Sequence, residues 1–547
     1  MQTGSMFSLL LGLLCLMQVQ ARGLQLQRPL MQRSSGNSTF RQLIDHKNPS
    51  LGTFSQRIWW NNTFWAGPGS PIVLFTPGES DATNYGGYIT ERTLTGLYAR
   101  AIGGAVVMVE HRYYGESSPF QVLDTQNLTY LTLENSIADL VNIARNVKLP
   151  FDNSSLVNAP NSPWINVGGS YSGALAAWTE KLSPGTFWAY HASSAPVQLV
   201  DDYWSYFLPI QKGMPKNCST DMSRIVEHVD NVLDSKNETA ICDLKKRFGL
   251  DELEHADDFA TAVSNAVSMW QSVQFFSNYS SFFQMCDSME GVRPVQINGT
   301  NVSNSTGKWL NTTVPATGVG LKKALTNYAS WFRNEYVPNV CTDNEGNLQS
   351  VNDCFDTYNT SQAFYADWSV GNGWNRQWMW FLCNEPFSYW QTGAPKNHTT
   401  IVSRYVSVEY YQRQCALSFP TEGNATYGSA AGKTVDMAND VTQGWDLTNT
   451  ARLLWVNGEF DPWRSASVSS ELRPGGPLES TAAAPVFLMP GARHCNDLLT
   501  RTADINEGVR ATQQSVIAQM EVWAQDFYKG KNCQKWMICD RNDGWGY

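Results

Sequence analysis

A chain of 547 residues with 42% hydrophobic content can bury a large core, and its length suffices for more than one domain. Its 39 Lys+Arg against 49 Asp+Glu give a formal net charge of -10, with no basic run, which sets nucleic acid aside as a partner. Beyond the N-terminus no stretch is long and apolar enough to span a bilayer, so no membrane partner is expected.

In chain order, the apolar run from Met6 to Met17 ends at Val19-Gln20-Ala21, the core and small-residue cleavage pattern of a secretory signal peptide over residues 1–21, though without a charged lead. Export agrees with the density of N-x-[S/T] sequons, among them Asn37, Asn61, Asn127, Asn153, Asn217, Asn237, Asn278, Asn301, Asn311, Asn359 and Asn424. A secreted glycoprotein carrying N-linked glycans is expected, with a vacuolar or lysosomal destination as the alternative. Of eleven cysteines, Cys15 leaves with the signal peptide. The other ten suit disulfides in an oxidising compartment. Pairing is not readable, but Cys341 with Cys354 and Cys533 with Cys539 are expected as local bridges, and Cys495, beside a histidine, as a free thiol. Neither paired C-x-x-C nor H-E-x-x-H spacing occurs, so no metal or other cofactor is expected.

Residues 22–39 are polar without apolar periodicity and are expected to be a disordered lead or pro-segment, with order beginning near Phe40. Strands are expected over 53–60, 71–76 and 104–110, the last two as continuous apolar runs fit for a sheet buried on both faces. A helix fits 88–102. Ile137, Leu140, Val141, Ala144 and Val147 mark another by their i, i+3, i+4 spacing.

Trp164 to Val167 is a short apolar run ending at Gly168-Gly169-Ser170-Tyr171-Ser172, and an alanine-rich helical segment follows at once. That sequence is nearly G-x-S-x-G, the strand-to-helix turn that lifts a serine hydroxyl above a sheet. Ser172 stands where the pattern has its second glycine. A frame centred on Ser172 lacks glycine at both outer places, so Ser170 is the better nucleophile; a glycine-serine turn without chemistry is the bland alternative.

A further strand is expected over 187–194, and the alternation of strands and helices argues for a parallel, three-layer α/β sheet. From 199 to 444 the periodicity turns helical, as in Ile225-Val226-Val229-Val232-Leu233 and Leu325-Tyr328-Ala329-Phe332. Strands resume at 452–456 and 485–489, and Val509, Val516, Met520, Trp523 and Phe527 mark a last helix. The layout is therefore an α/β domain in two parts, 40–198 and 445–530, interrupted by a helical cap over 199–444, with a tail over 531–547.

A serine nucleophile needs a base, and the base an acid to fix its tautomer. Five histidines follow Ser170, three of them, His228, His255 and His398, within the insertion. His398 lies in a sequon of the insertion and His191 in a strand-like run, where a satisfied core histidine is the plainer role. His494 follows the last strand and is the candidate base. Asp461, in the loop after the preceding strand, is the candidate acid, with Glu459 as its rival. The oxyanion hole calls for the Tyr171 amide and one from Thr76-Pro77-Gly78-Glu79-Ser80, either Gly78 or Glu79. Glu110-His111-Arg112-Tyr113-Tyr114-Gly115-Glu116-Ser117 ends a central strand and is expected to buttress the site, although a buried ion-pair cluster would read the same.

Gly168-Gly169-Ser170-Tyr171, Glu110-His111-Arg112-Tyr113-Tyr114-Gly115, Asn457-Gly458-Glu459-Phe460-Asp461-Pro462-Trp463 and Gly491-Ala492-Arg493-His494 together resemble the serine peptidase family of lysosomal Pro-X carboxypeptidase and dipeptidyl peptidase II. Within it the chain is most similar to secreted fungal acid prolyl endopeptidases, with Phe75-Thr76-Pro77-Gly78-Glu79 and Arg376-Gln377-Trp378 as further shared phrases, over roughly Phe40 to Tyr528. The resemblance implies an α/β-hydrolase fold with a large inserted helical cap, acid activity, and cleavage after proline, with alanine as a second candidate, in peptides or proteins. It implies Ser170 as nucleophile, Asp461 as acid and His494 as base. Departures are Ser172 for glycine, and Arg493 where mammalian members tend to carry a second histidine. A flat apolar proline ring suits an aromatic pocket, for which Trp463 and, from the cap, Trp378 and Trp380 are candidates. A proline carboxypeptidase, a dipeptidyl peptidase, an esterase and an inactive binding glycoprotein are the alternatives.

Overall fold

The computed structural model describes residues 34–529 except 153, 278, 298–299, 303–313 and 344–345. The signal-peptide segment, the Cys533 and Cys539 pair and the C-terminal tail lie outside the described residues, as do the sequons at Asn153, Asn278 and Asn311.

Eight strands make the main sheet: β1 (Ser35–Leu43), β2 (Thr53–Asn61), β3 (Ile72–Phe75), β4 (Ala105–Val109), β5 (Trp164–Gly169), β6 (Ala189–Ser193), β11 (Leu453–Gly458) and β12 (Val486–Met489), in the spatial order β1-β2-β4-β3-β5-β6-β11-β12. Two small ladders lie in the insertion: β7 (Val200–Asp202) with β10 (Ser388–Trp390), parallel, and β8 (Val295–Ile297) with β9 (Thr300–Val302), antiparallel. From β4 to β12 every pairing in the main sheet is parallel, while β1 and β2 run antiparallel at the edge. Every residue of β3, β4, β6 and β11 is buried, as the unbroken apolar runs require.

The chain is already ordered at Ser35, ahead of the expected Phe40: β1 pairs Ser35 with Asn61 and Phe40 with Gln56. This strand lies at the sheet edge and alternates exposed with half-buried positions, so polar residues serve it and apolar periodicity fails to mark it. The helix expected over 88–102 is two pieces, a 3-10 segment Ala82–Ile89 and a helix Leu94–Ile102, because the chain bends at Thr90 against Gly96, where a Cβ would strike the Thr90 carbonyl. The helix Leu133–Asn146 buries Ile137, Leu140 and Ala144, and the Thr132 hydroxyl accepts the Asn135 N–H at its start, worth about 1 kcal/mol.

Helices flank the sheet on both faces. One apolar cluster joins Ile102, Met108, Val167, Val456 and the closing helix Glu507–Lys529 through Val516 and Met520. The other joins Val107, Trp164 and Trp178 to insertion residues such as Trp270, Phe332 and Phe387, so the insertion shares the core of the sheet it covers. The described residues from Ser35 to Lys529 fall in one compact unit. This is an α/β-hydrolase fold.

Disulfides tie Cys341 to Cys354 as expected, and also Cys218 to Cys286 and Cys383 to Cys415, at sequence separations of 68 and 32 that no local pattern betrays. Cys495 is a free thiol, as expected, and so is Cys242. The sequon at Asn217 is corrected: that side chain is buried beside the Cys218 bridge and out of reach of a glycan on the folded chain. Among the described residues no helix is long and apolar enough to cross a membrane.

Candidate active site

The sequence-predicted residues come together at the carboxyl edge of the parallel strands, where ligands bind in open α/β sheets. Ser170 follows β5 at φ 60, ψ -131, a conformation disfavoured for a residue with a Cβ and worth roughly 1–3 kcal/mol of strain that the surrounding fold must hold. The turn closes because Gly168 has no side chain: a Cβ there would overlap the Ser172 carbonyl. The Ser170 N–H donates to the Ser193 carbonyl at 2.9 Å, which fastens the turn to β6. Ser172, by contrast, is buried inside the helix Tyr171–Leu182, as its poorer frame implied.

Asp461 follows β11 and caps the short helix Pro462–Ala466, its carboxylate accepting the Trp463 N–H at 3.0 Å. The same Oδ1 pairs with His494 Nδ1 at 3.0 Å, and Asp461 is fully buried while the His494 side chain keeps 11% of its surface. Its rival Glu459 turns instead to the Gly491 N–H at 2.8 Å, so Asp461 is the histidine's partner. His494 follows β12, and the residue after it reaches the elbow: a Cβ on Gly169 would lie 3.0 Å from Cys495 Sγ. The Ser170 hydroxyl has no hydrogen bond of its own among the described residues. Catalytic hydrogen bonds are often long in resting enzymes and tighten on substrate.

Burial pulls the His494 imidazolium down, but Cys495 beside it and the bonded Asp461 carboxylate outweigh that and hold it well above its ordinary 6.5. Glu79, half-buried nearby, has its carboxyl pushed up to about 7 by burial, against the pull of its own amide and of His494.

For the oxyanion, Tyr171 opens its helix, so its N–H has no acceptor within that helix. Of the two loop candidates the Gly78 N–H is turned to the Thr76 hydroxyl at 3.4 Å, which leaves the Glu79 amide as the better donor. Gly78 itself is pressed on Ser172, so the loop lies against the elbow. Asn375 of the insertion reaches the same loop, donating to the Glu79 carbonyl at 3.2 Å.

The buttress beneath the site is built as expected. His111 contacts the Tyr171 hydroxyl at 3.1 Å and is pushed down to about 4 by burial, hence neutral. Arg112 grips Asp139 with two bonds, and Glu110 takes Arg57, Ser117 and the Ala82 N–H. His191 is a core histidine bonded to Asp497 and Tyr98, and His398 packs at a tilt against Trp204 in the insertion.

Trp463 stands beside His494, its ring centre 6.5 Å from the imidazole. Tyr203, Tyr206 and Tyr389 surround it at 5.6, 5.5 and 5.2 Å, and Gln271 accepts its indole N–H at 2.9 Å. These partners were missed in the sequence, although Tyr203-Trp204-Ser205-Tyr206, an aromatic cluster just after β7, was a signal. Trp378 packs 5.5 Å from Tyr171, on the nucleophile side. Trp380 is a correction: it is fully buried against Phe419 and its indole N–H is spent on the Leu131 carbonyl. Two residues along one helix, Arg376–Asn384, point to opposite sides, so Trp378 and Trp380 cannot share a pocket. Among the described residues no cluster of three His, Cys, Asp or Glu is placed to hold a metal.

A model of the family described as serine carboxypeptidase S28 matches residues 42–516. Serine protease vicPb of Bipolaris victoriae is 46% identical over 497 residues, covering 90% of both chains, and serine protease vicPa of the same fungus is 45% identical over 505 residues, covering 91% of this chain and 90% of that one. A probable extracellular serine carboxypeptidase of Arthroderma benhamiae is 31% identical over 455 residues, covering 81% of this chain and 59% of the relative.

Proposed function

The chain belongs to the serine carboxypeptidase S28 family and is a serine-type peptidase, and from that premise we propose that it is a secreted enzyme hydrolysing peptides or proteins on the carboxyl side of proline, with alanine as the second choice. The observation that carries the reading is the 3.0 Å bond between His494 and a buried Asp461, beside a serine held at φ 60 on the elbow.

In this mechanism Asp461 accepts the Nδ1 proton and so fixes the tautomer that leaves the Nε2 lone pair free. Nε2 takes the Ser170 proton as Oγ attacks the proline carbonyl, and the Tyr171 and Glu79 amides receive the developing oxyanion. The imidazolium then gives its proton to the leaving amine, and water repeats the sequence to release the acyl group. Trp463, walled by three tyrosines, supplies an apolar face for the proline ring, and Trp378 borders the nucleophile from the insertion.

Endopeptidase action is the first reading. The family description and the Arthroderma benhamiae relative's name favour a second, a carboxypeptidase. That relative's name also supports secretion. Export would expose the sequons at Asn37, Asn237, Asn359 and Asn424, all at exposed positions, to N-glycosylation. A doubly blocked proline peptide, one with a free amine and one with a free carboxylate, assayed side by side, test the reading. Hydrolysis after proline of the blocked peptide is expected. Turnover confined to the free-amine peptide would make the enzyme a dipeptidyl peptidase, and none of the three being cut would end the proline reading.

A further inference from the structure

The insertion brings one oriented carboxamide to the aromatic wall beside the candidate base. Its 3-10 segment Asn265–Ser272 is fixed to the loops that carry the acid and the base. Trp270 donates its indole N–H to the Phe460 carbonyl at 2.8 Å, and the Arg493 guanidinium lies 4.3 Å over its ring. Just beyond the segment, Gln274 accepts the Asn496 amide at 2.7 Å. Phe460 precedes Asp461, and Arg493 precedes His494, so Gln271 stands on backbone tied to both.

Gln271 is half-buried, and its Oε1 accepts two hydrogen bonds, from the Trp463 indole N–H at 2.9 Å and from the Tyr206 hydroxyl at 2.7 Å. An indole N–H can only donate, so the amide oxygen must face Trp463, and the amide cannot be flipped. Its two Nε2 hydrogens therefore point elsewhere, and among the described residues they have no acceptor. They stand beside a tryptophan whose ring centre is 6.5 Å from the His494 imidazole.

Proline limits what such donors can bind. Its ring nitrogen carries no hydrogen, so a proline within a peptide offers main-chain acceptors only. In the mechanism above the scissile carbonyl goes to the Tyr171 and Glu79 amides on the nucleophile side. The other carbonyl attached to the proline belongs to the preceding residue and is bonded directly to the ring nitrogen, so a ring laid on Trp463 carries it to the edge of the same wall. A carboxamide already held by two bonds loses little further freedom when it donates there.

We propose that Gln271 binds the carbonyl of the residue before proline through Nε2, and so reads the X-Pro bond where Trp463 accommodates only the ring. This rests on the proline-cleaving reading of the same site.

The test pairs a change in the substrate with a change in the enzyme. Two peptides carry Ala-Pro before the scissile bond, one with the natural Ala carbonyl and one with a thiocarbonyl, a weaker acceptor, in its place; both have the termini, blocked or free, that the enzyme turns over. Gln271→Glu keeps an oxygen for Trp463 and Tyr206 and loses only the Nε2 donors, so a residue that merely supports the wall would leave the oxo-to-thioxo ratio of kcat/KM as in wild type. Taking the ratio within each enzyme cancels any effect of the new charge on His494. Wild type should prefer the oxo peptide by about threefold to tenfold, the range of a neutral hydrogen bond, and Gln271→Glu should bring the ratio near one. If that variant fails to fold, Gln271→Met, similar in length and without donors, should do the same. An unchanged ratio in the variant overturns the inference. A wild type that cuts both peptides equally overturns it while leaving proline cleavage standing, whereas a wild type that cuts neither, with blocked or free termini, overturns both.

Discussion

Gly78 and Ser172 are fitted to each other: a Cβ on Gly78 would overlap the Ser172 hydroxyl, and Gly78 holds φ at 80. Ser172 stands where the elbow pattern has glycine, and the smallness the turn requires is met across the gap by Gly78. The loop that offers the Glu79 amide is thereby registered on the helix that offers the Tyr171 amide. Gly78→Ala should displace that loop and lower kcat about tenfold to a hundredfold, the scale of losing one oxyanion donor or part of one. The left-handed conformation adds about 1–2 kcal/mol of destabilisation. Adding Ser172→Gly removes the clashing atom and should return much of the lost kcat; a double variant no better than the single one would contradict the fit.

His494 must be neutral to accept a proton. Burial lowers it, but Cys495 and Asp461 prevail, so the rising limb of kcat/KM against pH should lie above 6.5. The acid activity implied by the resemblance runs against this resting arrangement of charge. Cys495→Ala removes a raising group and should move the limb to lower pH, measured as initial rates on a blocked proline peptide across the pH range. A limb that stays in place would exclude Cys495 as a determinant.

Glu79 sets the opposite limb. Burial raises its carboxyl to about 7, so it is largely neutral below that pH and charged above it. A carboxylate there opposes the oxyanion and holds the imidazolium, and rates should fall as it ionises. Glu79→Gln, permanently neutral, should flatten the fall near pH 7 and, with one anion fewer holding the imidazolium, move the rising limb to lower pH; an identical profile would count against the assignment.

Trp463 and Trp380 should separate function from stability. Trp463→Ala should lower kcat/KM on a proline peptide roughly tenfold through the lost aromatic wall. Trp380→Ala should cost about 3–5 kcal/mol of stability, seen as an early thermal transition, because it empties a fully buried site. An equal loss of kcat/KM in both would make Trp463 ordinary packing.

Much of this was legible because the chemistry sits at strand ends. β5, β11 and β12 are apolar runs, and each runs into a turn or loop that carries Ser170, Asp461 or His494, so local pattern and chain order locate all three. What depends on phase or distance was not legible. Trp378 and Trp380 read alike until the helix assigns them opposite faces. Ser35 to Thr39 form a strand without apolar periodicity because only one neighbour, β2, flanks them. Arg493 meets Trp270 across more than two hundred residues, and Cys218 meets Cys286 across 68, contacts that only the assembled core creates.

The central claim is that Ser170 forms the acyl-enzyme. Peptide mapping by mass after treatment with a fluorophosphonate, with turnover followed in parallel, tests it most directly. One adduct per chain is expected, on Ser170, with turnover of the blocked proline peptide lost in step, and Ser170→Ala should neither label nor turn over. An adduct on Ser172, or near-parental turnover by Ser170→Ala, would contradict it.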